Sequence, residues 1–406
     1  MTGLLKRALP FCLVIAASAW ISQSPDSLGD YPGDGAPAVD ALASWRIGDF
    51  ISAQPLMGPF SILVRAPFAA LADGGELSAY RLGSFPCVLA AGLLGLYLAG
   101  IARRRRVGLL GQALIVALCL LNPLTFEALE MGHPEEILTA ALVVGAVAVA
   151  AEGHVGRATL LLGLALATKQ WAVIAVLPVL MALPARQIRV AAGAAAIAIA
   201  LTLPGFLAAP TQFLEMQGNA ANTKQIVDAW SVWYAAAPEV TQQIDVGGET
   251  VAVQRRLLPE ELGHLSHPLI VLTALLLPLL LAVRRGSFRL SGSDAMALLA
   301  LLALLRCGLD PVNNLYYHVP FLLAVVGWDA ASTRGLPVRG LVAFGIAMLF
   351  AHWGVQIDDA LLFNALYTPA FAAGVAVIAA ALLRRPGMSR SGTRVEPPVA
   401  AESPAR

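Results

Sequence analysis

Apolar residues along this chain come in long blocks separated by short polar punctuation, without the alternation of a half-buried strand or the stripe of a soluble helix. Ten blocks lie near 8–22, 83–101, 107–123, 136–151, 190–208, 267–283, 292–307, 311–328, 336–355 and 362–383. They approach the ~20 residues that cross ~30 Å of hydrocarbon at ~1.5 Å per residue. Between Ala158 and Leu183 the chain is apolar except at Thr168-Lys169-Gln170. One helix there would hold a lysine near mid-membrane, which is costly, so two short helices meeting at Lys169 are expected. The pattern predicts an all-α polytopic bundle of about 10–12 membrane helices over residues 1–385, with long loops at 22–82 and 209–266. Residues 386–406, rich in Pro, Ser and Arg, read as a disordered cytoplasmic tail.

Composition turns the pattern into a class. Hydrophobic types make up 58% of the 406 residues and charged types 13%. Soluble domains run nearer ~45–50% and ~25%, so a water-soluble globule is excluded. Twenty-seven Lys and Arg nearly cancel 26 Asp and Glu, leaving no basic patch for nucleic acid. Cys12, Cys87, Cys119 and Cys307 each sit in an apolar run, with no spacing suited to a disulfide framework or a zinc site. Charge also sorts the loops. With Lys6 and Arg7 inside, one face collects Arg103 to Arg106, Arg157, Arg186, Arg284, Arg339, Arg384 and others, 19 of the 27 cations. The other face keeps 21 of the 26 acids. The positive-inside rule then orients the chain N-in and C-in in the cell membrane. A signal peptide cleaved near Ala17-Ser18-Ala19 is the alternative for the first block, and it leaves the sidedness of the rest unchanged.

Both long loops, and the polar ends of several helices, fall on the arginine-poor side. The first loop carries Asp26, Asp30, Asp34, Asp40 and Asp49, and its Ser61–Phe68 stretch is expected to lie along the membrane surface as an amphipathic segment. The second holds Trp230, Trp233 and Tyr234, then a small hairpin, Ile244 to Val251, around Gly247-Gly248. Helix ends carry Glu127, Glu130, His133, Glu135 and Glu136, then Lys169 with Gln170, and Arg306 with Asp310. In Asn313-Asn314-Leu315-Tyr316-Tyr317-His318, helical spacing would set Asn314 with His318 on one face and Asn313 with Tyr317 on the next. Each cluster has a plainer account. His133-Pro134-Glu135-Glu136 starts a helix well, with a cap, a proline and two acids suited to the dipole, and Asp310-Pro311 reads the same way. A lysine at a helix end can snorkel to the interface. A His/Glu metal site lacks a second histidine at i+4. Asp358-Asp359 read as solvated. Convergence from separate parts of the chain on one membrane face favours a working site outside.

Several stretches resemble the GT-C superfamily of polytopic glycosyltransferases, in particular its actinobacterial branch of mannosyltransferases of lipoglycan assembly. They are Asp34 to Asp40, Gln54-Pro55-Leu56-Met57-Gly58-Pro59 with Leu63-Val64-Arg65-Ala66-Pro67-Phe68, Gly132-His133-Pro134-Glu135-Glu136, Lys169-Gln170-Trp171 and Asn313 to His318. The resemblance covers most of residues 1–385. It implies inverting transfer of a sugar, mannose or arabinose by analogy, from a polyprenyl-phosphate donor to a cell-envelope glycolipid or polysaccharide at the extracytoplasmic face. A first-loop carboxylate would be the base, Asp34 ahead of Asp40, with Asp26 and Asp30 behind them. General chemistry agrees: a base must reach the acceptor hydroxyl, and a leaving phosphate gains charge that cations must meet. Arg65, Lys169, Arg306 and His318 are the candidates for that phosphate. His133, Glu135, Glu136, Gln170, Asn313, Asn314 and Tyr317 are the candidates for the substrate pocket. No paired-acid nucleotide-sugar motif or Gly-rich phosphate loop is present, so no cofactor is expected, although some members of the superfamily use a divalent cation. The rival reading is a lipid or small-molecule transporter or flippase. It predicts internal repeats and ionisable groups in a central path, neither of which the pattern offers. A scaffold without chemistry would call for a cytoplasmic output domain, and 386–406 is only a short strip.

Overall fold

The computed structural model describes residues 2–55, 57–221, 226–246, 249–354, 357 and 359–384. The tail, the Gly247-Gly248 turn and Asp358 lie outside the described residues. Helix α1 (Thr2–Ser22) leads into a first loop built of α2 (Tyr31–Asp34), α3 (Ala36–Ala43), α4 (Ile47–Ser52) and α5 (Pro59–Ala69). Then come α6 (Glu76–Arg104), α7 (Leu109–Leu120), α8 (Pro123–Glu130) and α9 (Pro134–Ala151). The expected break is present: α10 (Val155–Leu166) stops before Lys169, and a 3-10 turn (Gln170–Ala175) continues into α11 (Val176–Ala182). Next are α12 (Gln187–Ala208), α13 (Pro210–Ala221), strands β1 (Glu239–Val246) and β2 (Glu249–Arg256), and α14 (Glu260–Arg285). The chain closes with α15 (Gly292–Leu309), α16 (Val319–Ser332), α17 (Val338–Gly354) and α18 (Ala360–Leu383). Among the described residues, seven helices are long and apolar enough to cross a membrane, and shorter apolar helices include α1, α10 and α17.

Helix α9 is the centre of the bundle. Every residue from Pro134 to Ala150 is buried. Its Ala, Gly and Val side chains are small enough for α6, α10, α15 and α16 to close around it. By contrast α12 and α18 are apolar on all sides yet largely uncovered, which suits helices at a lipid boundary. Helix α1 is packed in as well: Val14 and Ile21 are buried with Val88 and Ala91 of α6.

Three local expectations change. The segment after α15 is not helical from 311 onward. Asp310 is held extended (ψ 120°), as a residue before proline prefers, and its Oδ1 accepts the Val312 N–H at 3.2 Å. A 3-10 turn at Leu315–His318 precedes α16, so the helical pairing of Asn314 with His318 is lost. Ser61–Phe68 does form a helix, but the buried face of α5 contains Arg65 beside Ile62 and Ala66. The hairpin is real and longer than Ile244–Val251: its antiparallel register runs from Val246↔Glu249 to Glu239↔Arg256.

Candidate active site

Two glycines let distant backbones meet. Gly132 adopts φ +87°, and a Cβ there would stand 2.6 Å from both Leu28 O and Tyr31 N. Only glycine tolerates both demands, and beside it the Asp30 N–H donates to Met131 O at 3.1 Å. Asp30, the residue before α2, is thereby held against His133. Gly58 lies so close to Ala167 that a side chain would collide with its carbonyl. The Gly58 N–H donates to Thr168 O at 2.8 Å and the Phe60 N–H to Ala167 O at 3.2 Å, docking the Gln54–Pro59 stretch on the turn that carries Lys169.

Around these contacts runs one connected polar network. The His133 ring stands 3.3 Å (Nε2) from Asp30 Oδ2 and 3.0 Å (Nδ1) from Glu135 Oε1, and stacks on Tyr316 at 5.0 Å. Lys169 Nζ lies 3.0 Å from Glu135 and 3.5 Å from Glu136. Trp171 Nε1–H donates to Glu136 Oε2 at 2.8 Å. Arg306 lies over the rings of Trp171 (5.0 Å) and Tyr317 (4.4 Å). Behind this layer, Arg65 is fully buried, 3.5 Å from Glu135 and over the Tyr31 ring at 4.8 Å. The helix-start account of His133-Pro134-Glu135-Glu136 also holds: His133 is the N-cap of α9 and the acids fill its first turn. The same residues serve both purposes.

Burial and charge tune the exposed edge of the network. Burial alone would lower the His133 pKa, but its bonds to Asp30 and Glu135 outweigh that and raise it to about 9. Burial raises Asp34, with His133 and Lys169 pulling the other way. Burial pushes Asp310 up to about 6 despite Arg306 and the Val312 N–H. Asp228 is raised by burial too, against the pull of Arg255.

These groups border a cavity of about 1170 Å³. Of the residues anticipated for chemistry, Asp34, His133, Glu136, Lys169, Gln170, Arg306, Asn314 and Tyr317 line it. Asp40 does not: its side chain is 70% exposed and pairs with Arg46 at 2.5 Å. Arg65 and Glu135 stand behind the cavity wall as a buried ion pair. Asn313 and His318 turn away from it to share Tyr367: Asn313 Nδ2 donates to the phenol oxygen at 3.1 Å, and His318 Nε2 lies 2.8 Å from it. Asp359, read as merely solvated, caps α18 through the N–H groups of Leu361 and Leu362.

The cavity also recruits residues that carried little or no signal. Asp30, one turn before Asp34, was only a secondary candidate. Asp228, Gln254, Arg255, Arg256 and His267 come from the second loop and the start of α14, where no motif pointed to them. They arrive because Trp233 Nε1–H donates to Leu309 O and Ser231 Oγ–H to Asp310 O, tying that loop to the end of α15. Among the described residues no group of three or more His, Cys, Asp or Glu is arranged to hold a metal ion.

Comparison with known proteins agrees with this architecture. The apo crystal structure of ArnT from Cupriavidus metallidurans is similar in fold, with a TM-score of 0.52 and 17% identity, covering 94% of this chain and 72% of that one. No curated protein matches the chain. Residues 56–309, well over half of the chain, match the model of glycosyltransferase family 87. The chain therefore belongs to glycosyltransferase family 87, and it is a multi-pass membrane enzyme of the GT-C type.

Proposed function

We propose that the enzyme moves a sugar, mannose or arabinose, from polyprenyl phosphate to a cell-envelope glycolipid or polysaccharide, with inversion, on the extracytoplasmic side of the membrane. Arg306 carries this reading. Its side chain is 6% exposed, Nη1 is buried without a hydrogen-bond partner, and the guanidinium forms no ion pair among the described residues. Two aromatic faces hold it without neutralising it. Glu136 and Asp310 act on its charge from a distance, but neither reaches ion-pair contact, so a buried donor is left open that a bound phosphate would satisfy. The other anticipated phosphate-binding groups already have partners. Lys169 is shared by two glutamates and Arg65 sits behind Glu135, while His318 is spent on Tyr367 and Leu315.

Asp34 is the proposed base. It lines the cavity, its carboxylate forms no hydrogen bond among the described residues, and burial raises its proton affinity. Asp30 is committed to His133. The acceptor O–H gives its proton to Asp34 as that oxygen bonds to the anomeric carbon. The bond from carbon to phosphate oxygen breaks, its electrons leave on the phosphate, and the second negative charge develops beside Arg306 and Lys169. Gln170, Asn314 and Tyr317 offer hydrogen bonds to the sugars. The step balances without a cofactor.

Helix polarity supports the outward face. His133 starts α9 and Arg306 ends α15, so both mark the cavity ends of those helices. About 27 Å away, at the other end of α9, Glu152 pairs with Arg104 and Gly292 lies beside Ala151. The arginine-rich turns belong to that far end, and cations favour the cytoplasm.

The test is transfer from radiolabelled polyprenyl-phosphate mannose and arabinose by purified protein. Arg306→Gln should lower kcat/KM for the donor about 100-fold, and Asp34→Asn should abolish transfer. Unchanged donor kinetics in Arg306→Gln would remove the phosphate site. Loss in Asp30→Asn with full activity in Asp34→Asn would move the base to Asp30.

A further inference from the structure

A second cavity of about 490 Å³ opens beyond the reacting groups. It shares Tyr234, Gln254, Arg255, Arg256 and Ala360 with the main cavity, and continues toward Glu239 of β1 and Asp359 and Leu361 on either side of Ala360. Its volume falls in the ~300–1,000 Å³ range of sites for small organic ligands. Two arginines face two carboxylates, with Glu239 3.5 Å from Arg256, so the lining carries no net charge. An amide and a phenol ring complete it. Arg256 is held over the Tyr234 ring at 5.0 Å. The Gln254 amide and the Arg255 guanidinium, by contrast, form no side-chain hydrogen bond among the described residues and can meet the hydroxyls of a neutral polyhydroxyl compound. Arg306, whose buried Nη1 has no hydrogen-bond partner, lines the other cavity.

The loop that leads to Tyr234 is held in place in advance, behind the second cavity. Asn364 Nδ2 donates to Ala229 O at 2.9 Å and to Ser231 O at 2.7 Å, and Asn313 Nδ2 donates to Trp230 O at 2.7 Å. Three successive carbonyls of the second loop are thus held by buried amides. The Trp230 ring lies between them, edge-on to Phe363 at 4.2 Å. Anchoring this loop fixes the approach to Tyr234 and reduces the ordering a ligand must supply.

We propose that the second cavity is a distal acceptor subsite for a neutral glycan. The accepting sugar occupies the main cavity, and the next sugars of the same chain lie against the hairpin and the start of α18. This rests on the transferase reading above and narrows its acceptor to a glycan of at least two sugars.

The experiment measures binding of octyl mono-, di- and trisaccharides of mannose and of arabinose to the full-length protein in nanodiscs by calorimetry. For one of the two series, the di- and trisaccharides should bind about tenfold tighter than the monosaccharide. Leu361→Trp, which fills the second cavity, and Glu239→Ala should erase that gain while leaving monosaccharide affinity unchanged. Length-independent binding, no binding of any probe, or a gain surviving both variants would overturn the subsite. So would tighter binding of a phosphate-bearing trisaccharide that Leu361→Trp removes. Transfer is measured in parallel. If length-dependent binding holds while neither polyprenyl-phosphate donor is used, the donor assignment fails and the subsite stands.

Discussion

Replacing Glu135 by glutamine should destabilise the protein through the charges left behind. The carboxylate is fully buried at the start of α9, 3.0 Å from Lys169, 3.0 Å from the His133 ring and 3.5 Å from Arg65. Glutamine keeps the volume and one acceptor oxygen but removes the charge. Lys169 keeps Glu136 and His133 keeps Asp30, whereas Glu135 is the one carboxylate paired with Arg65 among the described residues. Removing one partner of a buried pair costs about 3–5 kcal/mol, because the other charge stays desolvated and uncompensated. At about 2 cal/mol/K of unfolding entropy per residue, a chain of 406 residues should lose about 4–6 °C in Tm. Thermal unfolding of the nanodisc-embedded protein, followed by tryptophan fluorescence, reads this directly. The double variant Arg65→Met with Glu135→Gln should recover most of the loss, since neither charge then remains. An unchanged Tm in Glu135→Gln, or additive losses in the double variant, would refute the reasoning.

Three further expectations concern the same region. The His133 pKa lies above its ordinary value, at about 9, so its ion pairs contribute fully below about pH 6.5 and fade as pH rises through about 9. The Tm advantage of the wild type over His133→Gln should therefore shrink across that window, and a constant difference would contradict it. Asp40→Asn should keep transfer close to wild type, because its exposed carboxylate meets only Arg46 among the described residues; a tenfold loss would return Asp40 to the site. Thr250→Cys, exposed on β2, in a Cys12→Ser background should react with an impermeant thiol reagent on intact cells, and labelling only after lysis would reverse the proposed orientation.

Reading the chain alone went far for the helices and less far for the site. In a bilayer each apolar block must satisfy its own backbone hydrogen bonds, so helix positions follow from local composition. That logic placed the break at Lys169 and the helix start at His133 correctly, because a lysine and a proline act where they stand. It also drew Asp34, His133, Glu136, Lys169, Gln170, Arg306, Asn314 and Tyr317 toward one face, and all eight line one cavity. It could not separate Asp34 from Asp40, six residues apart, because the difference is which side of α3 packs: Val39 is buried and Asp40 is exposed. Nor could charge alone tell Arg306, left without an ion pair among the described residues, from Arg65, matched by a glutamate 70 positions away. Asp228 and Arg255 reach the cavity only through the tertiary ties of the second loop, which no local pattern announces. Composition and periodicity determined that this is a helical membrane protein with its polar chemistry at one end. Which charges are desolvated, and which of those are paired, was decided by contacts between residues far apart in the chain.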